Sequence, residues 1–456
     1  VATDRGIRLI ELFAFLTMTC TFCSRSPSHP ARPPRLALAA LTGMVLLGLA
    51  QLVPLPYRWL ELAAPVNASI YHETRGALAA LGERVPSPRI SIGFPGTAGA
   101  VLALLAVGAI FLAAAQLVRG RARVRLFALV IGIAAIAGSL RAIHATILSA
   151  PLGGATILGS PLSGATLMGA DVAAARLEVA LALAFAAFWA EVLTGSRRGA
   201  AGANVETSDR IEGRILPLAR RLGAWIAVAI LLAATRSLGG LVGGAVASVF
   251  LPVAAARHPR ARRRSKTKTA ATLFAVGVLL ATLLGTVVAL GPPSRGAGRS
   301  AALSRAASGI ARASKWSRSS SSSWSSTLRA WREFPVLGSG LGTFPEAFAR
   351  IQEGATLDRI GAPNDAAGML VAGGAVGASL AALAVVSVGV FLARRWRDQR
   401  HREESAYALA GLGALVSLAV HGLTAPVFES VAVGILLAAV LGSACAAATE
   451  SDATMF

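Results

Sequence analysis

Few side chains in this 456-residue sequence are placed to do chemistry, and those few sit at the ends of apolar segments. Arg236 lies in the short gap 235–237 between two such segments, within Thr235-Arg-Ser-Leu-Gly-Gly240. An arginine at membrane depth costs about 2.5–3.5 kcal/mol or more unless its charge is satisfied, which makes an anionic ligand its natural partner. A snorkelling interfacial arginine is the competing reading. Asp171, Arg176 and Glu178 open another segment, where Arg176 could pair with either carboxylate. His421 closes a late segment and is the one late imidazole positioned to act as a base. His144, close to Arg141 inside an apolar segment, reads as a buried structural histidine. Gly338-Ser-Gly-Leu-Gly-Thr-Phe344 places three glycines where the backbone turns tightly or approaches a ligand. No Walker lysine follows them. The chemistry these residues support is stabilisation of developing negative charge by guanidinium groups, together with proton abstraction by a base. Cys20 and Cys23 form a CxxC inside an apolar segment, and Cys445 lies near the end of the last one. Reactive or metal-binding thiolates need more polar surroundings, so these cysteines read as inert.

The elements that must hold these residues are apolar runs. Hydrophobic residues make up 55% of the chain and charged residues only 14%, with a mean hydropathy of +0.64, which excludes an ordinary soluble domain. A hydrocarbon core needs about 20 apolar residues per helix. Eleven segments meet this: 7–23, 36–53, 98–118, 126–148, 174–194, 217–234, 238–256, 270–291, 366–392, 406–422 and 428–448. Arginine and lysine crowd four gaps between them: Arg119–Arg125, Arg197–Arg221, Arg257–Lys268 and Arg394–Arg402. Basic loops stay on the cytoplasmic side, so gaps 54–97, 149–173, 235–237, 292–365 and 423–427 are expected on the opposite face. That topology puts the first residue outside and the last inside, and an additional N-terminal helix would restore the usual arrangement. The net charge of +22 does not indicate a nucleic-acid partner, because much of it lies in short loops where anionic headgroups are the simpler counterpart.

Two external gaps are long enough to hold structure. Gap 54–97 carries Pro54, Pro56, Pro65, Pro86, Pro88 and Pro95, which predicts short helices between fixed turns. Gap 292–365 carries nine Arg and one Lys against Glu333, Glu346, Glu353, Asp358 and Asp365. An ordinary solvated loop and a loop retained for an anionic ligand both fit that imbalance. Ser319–Ser323 is a low-complexity run, and Trp324, Leu328 and Trp331 after it fall at helical spacing, predicting a short amphipathic helix.

Trp324, followed by Phe334-Pro-Val-Leu-Gly-Ser-Gly-Leu-Gly-Thr-Phe344, resembles the signature of the bacterial O-antigen ligase and O-antigen polymerase family. Gln51-Leu-Val-Pro-Leu-Pro56 with Ala64-Pro65, Asp171-Val-Ala-Ala-Ala-Arg-Leu-Glu178, the Thr235–Gly240 hairpin and His421 are similar to further family elements in the same order. The resemblance runs from about Gln51 to Gly442. The sequence departs from it where the family places a histidine before Asn-Asp: here the stretch is Pro363-Asn-Asp365. Ala372 stands where a glutamate is often seen, and Ser320 where an arginine is common, with Arg318 the nearest substitute.

The resemblance implies an all-α polytopic transmembrane bundle of about 11–12 spans in a bacterial inner membrane, with one large periplasmic loop. Its divisions are 1–291 for the N-terminal bundle, 292–365 for the loop, 366–448 for the C-terminal helices and 449–456 for a cytoplasmic tail. The activity implied is metal-independent glycan transfer from an undecaprenyl-diphosphate-linked donor to lipid A core or a growing polysaccharide, with no cofactor. Asp365, the neighbour of the missing histidine, and His421 are then the expected bases. Arg236, Arg318 and Arg329 are expected on the diphosphate, with Asp171, Arg176, Glu178, Trp324, Gly340 and Asn364 in support. Pro363 leaves open an inactive copy that binds lipid-linked glycan or serves an export complex. A membrane transporter is the third reading, although no repeated halves are visible.

Overall fold

The computed structural model describes residues 15–17, 33–83, 86–118, 120–148, 164–201, 207–235, 237–257, 324–351, 362–398 and 402–453. Thirteen helices organise them: α1 (Arg35–Leu52), α2 (Tyr57–Ala63), α3 (Pro65–Ala80), α4 (Phe94–Leu117), α5 (Arg121–Leu148), α6 (Gly164–Ala201), α7 (Thr207–Ala234), α8 (Leu238–Arg257), α9 (324–333), α10 (Phe344–Ala349), α11 (Asp365–Asp398), α12 (Arg402–Gly422) and α13 (Val431–Ala453). No strand occurs among the described residues, where Pro54 and Arg89 form an isolated bridge. Helices α1, α4–α8 and α11–α13 are long and apolar enough to cross a membrane. They coincide with nine of the eleven expected segments. Segment 270–291, and 7–23 apart from helical residues 15–17, lie outside the described residues. The chain is a multi-pass, all-α membrane bundle.

Helices α6 and α12 form its centre. Helix α6 packs against α5, α7, α8, α12 and α13, while α12 packs against α6, α8, α11 and α13. Helix α13 lies along α4, and α1 lies between α4 and α11. The core is built from Leu177, Leu181, Phe185, Trp189, Trp225, Leu232, Leu409 and Leu418, with Phe185 stacked on Trp189 at 6.2 Å between centroids. Large side chains of α5 such as Leu129, Ile133 and Leu140 face away from the bundle, as lipid contact requires.

Glycine lets α8 approach the centre closely. Gly239, Gly240, Gly243 and Gly244 are buried on one side of it. A Cβ on Gly240 would strike Ala174, and one on Gly244 would strike Leu232. Small residues at membrane helix contacts let backbones come together in this way.

One end of the bundle is basic, with Arg121, Arg123 and Arg125 at the start of α5, Arg257 at the end of α8, and Arg394, Arg395 and Arg397 at the end of α11. The opposite end collects the short helices α2, α3, α9 and α10. There Ala330, Phe334, Phe344, Ala347, Ala362 and Val371 form a separate apolar cluster with Val66, Ile70 and Ile92. The amphipathic helix over 324–333 forms as expected, with Trp331 packed against this cluster. Thr327 and Ala330 are fully buried and Leu328 points outward, because the small Ala330 lets α9 sit close to Phe334 and its neighbours.

Candidate functional site

Two polar constructions occupy the end that carries the short helices. The first is a clasp around the glycine turn. Leu341 N–H donates to Gln51 Oε1 at 2.9 Å, while Gln51 Nε2 donates to the carbonyls of Leu337 (2.6 Å) and Ala372 (3.3 Å). Ser339 and Gly340 N–H donate to the carbonyls of Val371 and Ala372, and Ile92 N–H donates to Ser339. Thr343 N–H closes the turn on Gly340.

These backbones meet where helix α11 is interrupted at Gly374, whose φ is 62°. Gly338 has φ of 76°, and a Cβ there would run into the Ala372 carbonyl, while one on Gly374 would run into that of Val336. Gly340, with φ of 122°, lies against Ser91 and Thr97, whose hydroxyls are hydrogen-bonded at 2.7 Å. The amides of Ser339, Gly340, Leu341 and Thr343 are therefore committed to protein acceptors, and this turn works as a splice between α1, the two short-helix regions and α11. Tyr71 completes it by donating to the Ser91 carbonyl at 2.7 Å. Burial raises its phenol pKa, and Arg89 partly offsets the rise.

The second construction is a buried cluster where α6, α8 and α12 converge. His421 Nδ1 lies 2.6 Å from Glu178 Oε1, and Ser417 Oγ donates to Glu178 Oε2 at 2.5 Å. Ser237 Oγ donates to Asp171 Oδ1 at 2.5 Å and accepts from Gly240 N–H at 2.9 Å, which caps the start of α8. His421 Nε2 has no hydrogen-bond partner; Asp171 Oδ1, 3.8 Å away, is too far for a hydrogen bond but within ion-pair range of a protonated ring. Glu178, Ser417 and His421 are completely buried. Room for them comes from α8: a Cβ on Gly239 would lie 2.8 Å from His421 Nε2, and one on Gly243 would lie 2.7 Å from Glu178 Oε2.

Asp365 borders this cluster, since a Cβ on Gly422 would lie 2.6 Å from its Oδ2. Both its oxygens are occupied: Oδ2 accepts from Val427 N–H at 3.1 Å and Oδ1 from Phe428 N–H at 2.9 Å. Asp365 thereby ties the turn after His421 to the start of α11. Asn364 caps that helix, its Oδ1 accepting from Ala367 N–H at 2.8 Å. Glu429 accepts from Ala362 N–H at 3.3 Å, and burial raises its carboxyl pKa further than this hydrogen bond lowers it.

Of the residues singled out in the sequence, Asp171, Glu178, His421 and Asp365 come together, and Gly340 and Asn364 have defined structural contacts. Arg176 is turned elsewhere. Its Nη1 donates to the Gly138 carbonyl on α5 at 3.2 Å, and it forms no ion pair with Asp171 or Glu178. Trp324 is half-buried at the start of α9, and Arg329 is exposed on that helix, 3.4 Å from Ser326 Oγ. His144 is exposed on α5 rather than buried, on the outward face it shares with Arg141 and Leu140. Arg236 and Arg318 lie outside the described residues. Ser237 and Ser417 were not singled out in the sequence. Ser417 stands one helical turn before His421, a spacing that places both on one face.

A scan of the chain against models of protein families finds no match, and neither does a search of curated proteins.

Proposed function

We propose that this chain transfers a glycan from an undecaprenyl-diphosphate-linked donor to lipid A core or a growing polysaccharide, at the periplasmic face of a bacterial inner membrane. What supports this reading is convergence. Gln51, Asp171–Glu178, Thr235–Gly240, Phe334–Phe344, Asn364–Asp365 and His421 carry the resemblance to O-antigen ligases and polymerases, and they are scattered over about 370 residues of sequence. Hydrogen bonds link Gln51 to the 334–344 turn, Asp171 to Ser237, Glu178 to His421 and Asp365 to the turn after His421, all at the end opposite the arginine-rich one.

In this reading the basic end faces the cytoplasm, where loop arginines meet anionic lipid. Breaking the sugar–oxygen bond places negative charge on the diphosphate, and Arg236, Arg318 and Arg329 supply guanidinium groups to stabilise it. With Pro363 in place of a histidine and both Asp365 oxygens held by amides, His421 takes the role of base toward the acceptor hydroxyl.

A strain lacking this chain tests the reading. Lipid-linked glycan should accumulate and surface glycan should shorten or disappear, with both restored by the intact gene. Unchanged surface glycan with altered solute uptake would favour transport instead. The complete burial of His421, together with Pro363, favours a second reading in which the chain binds lipid-linked glycan without transferring it. Restoration of surface glycan by a His421→Gln variant, in protein that retains donor binding, would select that alternative.

A further inference from the structure

We infer that Glu178 is a positioning residue: it holds the His421 imidazole with its proton on Nδ1, so that the Nε2 lone pair is presented to the acceptor hydroxyl. The inference rests on the transfer reading above. As a carboxylate, Glu178 can only accept hydrogen bonds, and both its oxygens have a donor within 2.6 Å. Ser417 Oγ–H occupies Oε2, leaving Oε1 for Nδ1–H of His421. The carboxylate is also fixed sterically, because α8 passes it at Gly243, where any side chain would intrude on Oε2.

The opposite edge of the ring is different. Nε2 is buried and has no hydrogen-bond partner, in a residue with no exposed surface. A histidine serving only to bridge two carboxylates would direct Nε2–H at Asp171. Asp171 Oδ1 stands 3.8 Å away, in ion-pair range but too far for a hydrogen bond, and accepts instead from Ser237 Oγ at 2.5 Å. A buried polar atom left unpaired beside a fully paired network calls for a partner that arrives from elsewhere.

A hydroxyl donor satisfies that atom. As the acceptor oxygen attacks the anomeric carbon, its proton passes to Nε2 and the new carbon–oxygen bond forms. The bond from the sugar to the diphosphate breaks, with the electron pair leaving on the diphosphate. The imidazolium formed lies against Glu178, with Asp171 at its other edge, and later returns its proton to solvent. This is the logic of a base oriented by a buried carboxylate. In this conformation Gly239 packs against the Nε2 edge of the ring, so the hydroxyl reaches Nε2 only once that contact opens.

The experiment uses the full chain in lipid nanodiscs with 15N-labelled histidine. A His421→Gln variant identifies the signal among the six histidines. The intact protein should show His421 protonated at Nδ1 and bare at Nε2, and Glu178→Gln should abolish that preference. Turnover of an undecaprenyl-diphosphate-linked glycan should fall about 100- to 10,000-fold in kcat for Glu178→Gln, with KM little changed. His421→Gln with Glu178→Gln together should be no slower than His421→Gln alone. Ser417→Ala, a gentler change, should lower kcat about 3- to 10-fold, less than the loss typical of removing a general base.

A proton resident on Nε2 in the intact protein would overturn the inference, as would a Glu178→Gln variant with normal tautomer and normal kcat. An intact protein that shows the expected tautomer but transfers nothing would instead defeat the transfer reading.

Discussion

Around the glycine turn, Gln51 spends both ends of its amide on backbone groups of a segment nearly 300 residues away, and neighbouring amides find carbonyls. Around His421, Glu178 and Ser417 are just as buried, yet one ring nitrogen is left without a hydrogen bond. Both regions lie at the same end of the bundle and both depend on glycine to bring elements close. The clasp uses glycine for backbone conformation, at positive φ. The histidine cluster uses glycine for side-chain room, on a regular helix face. A fully paired construction holds shape, whereas one with an unpaired buried atom is ready to take a ligand.

The largest effect is expected at Gly338. Gly338→Ala imposes a Cβ at φ of 76° and drives it into the Ala372 carbonyl, so the folded protein should lose more than about 3 kcal/mol. Thermal melting in detergent should show this, and a melting point within a degree or two of the parent would remove the clasp's structural role. Gln51→Leu comes next. It leaves Leu341 N–H and the Leu337 carbonyl without their partner, for a loss of about 2–4 kcal/mol. The molecules that remain folded should retain normal turnover, since Gln51 serves the scaffold; selective loss of turnover would merge the two regions into one site.

Smaller effects sharpen the contrast. Glu429 has its pKa raised in the folded chain by burial, so native protein binds this proton more tightly than unfolded chain. Its contribution to stability is complete below the ordinary glutamate value and is lost as pH climbs through the raised one. Glu429→Gln should flatten that part of the pH–stability curve and stabilise the protein at neutral pH, whereas an unchanged curve would remove Glu429 as its source. Arg350→Ala should matter least. Its pairs with Glu73 at 3.3 Å and Glu333 at 3.8 Å are partly solvated, and their loss should cost under about 1 kcal/mol by melting. A much larger loss would mean that these contacts help to dock α10.

The spans were legible because apolar runs separated by arginine leave little freedom in a bilayer, and nine of them appear where they were read. What each polar residue touches was less legible, although helix geometry fixes part of it. Asp171 and Glu178, seven residues apart, share one face of α6, and that face meets α8 and α12. Arg176 is two residues from Glu178 and so points to another side, toward α5, which is why it finds a carbonyl rather than either carboxylate. The run Gly239-Gly240 and Gly243-Gly244 marked a helix face on which two other helices converge, which a reading focused on charge passes over. His144 follows the outward stripe of α5, whose bundle neighbours are few. On α9 the helical spacing was legible, but the burial of Thr327 and Ala330 was not, because small or polar residues carry no apolar signal.

The most direct measurement of the central claim is single-turnover glycan transfer by the reconstituted chain and its His421→Gln variant, with donor binding measured in parallel. Transfer by the parent is expected, with a loss of about 100-fold or more in the variant and undiminished binding of the undecaprenyl-diphosphate-linked donor. Equal transfer rates for the two proteins would contradict it.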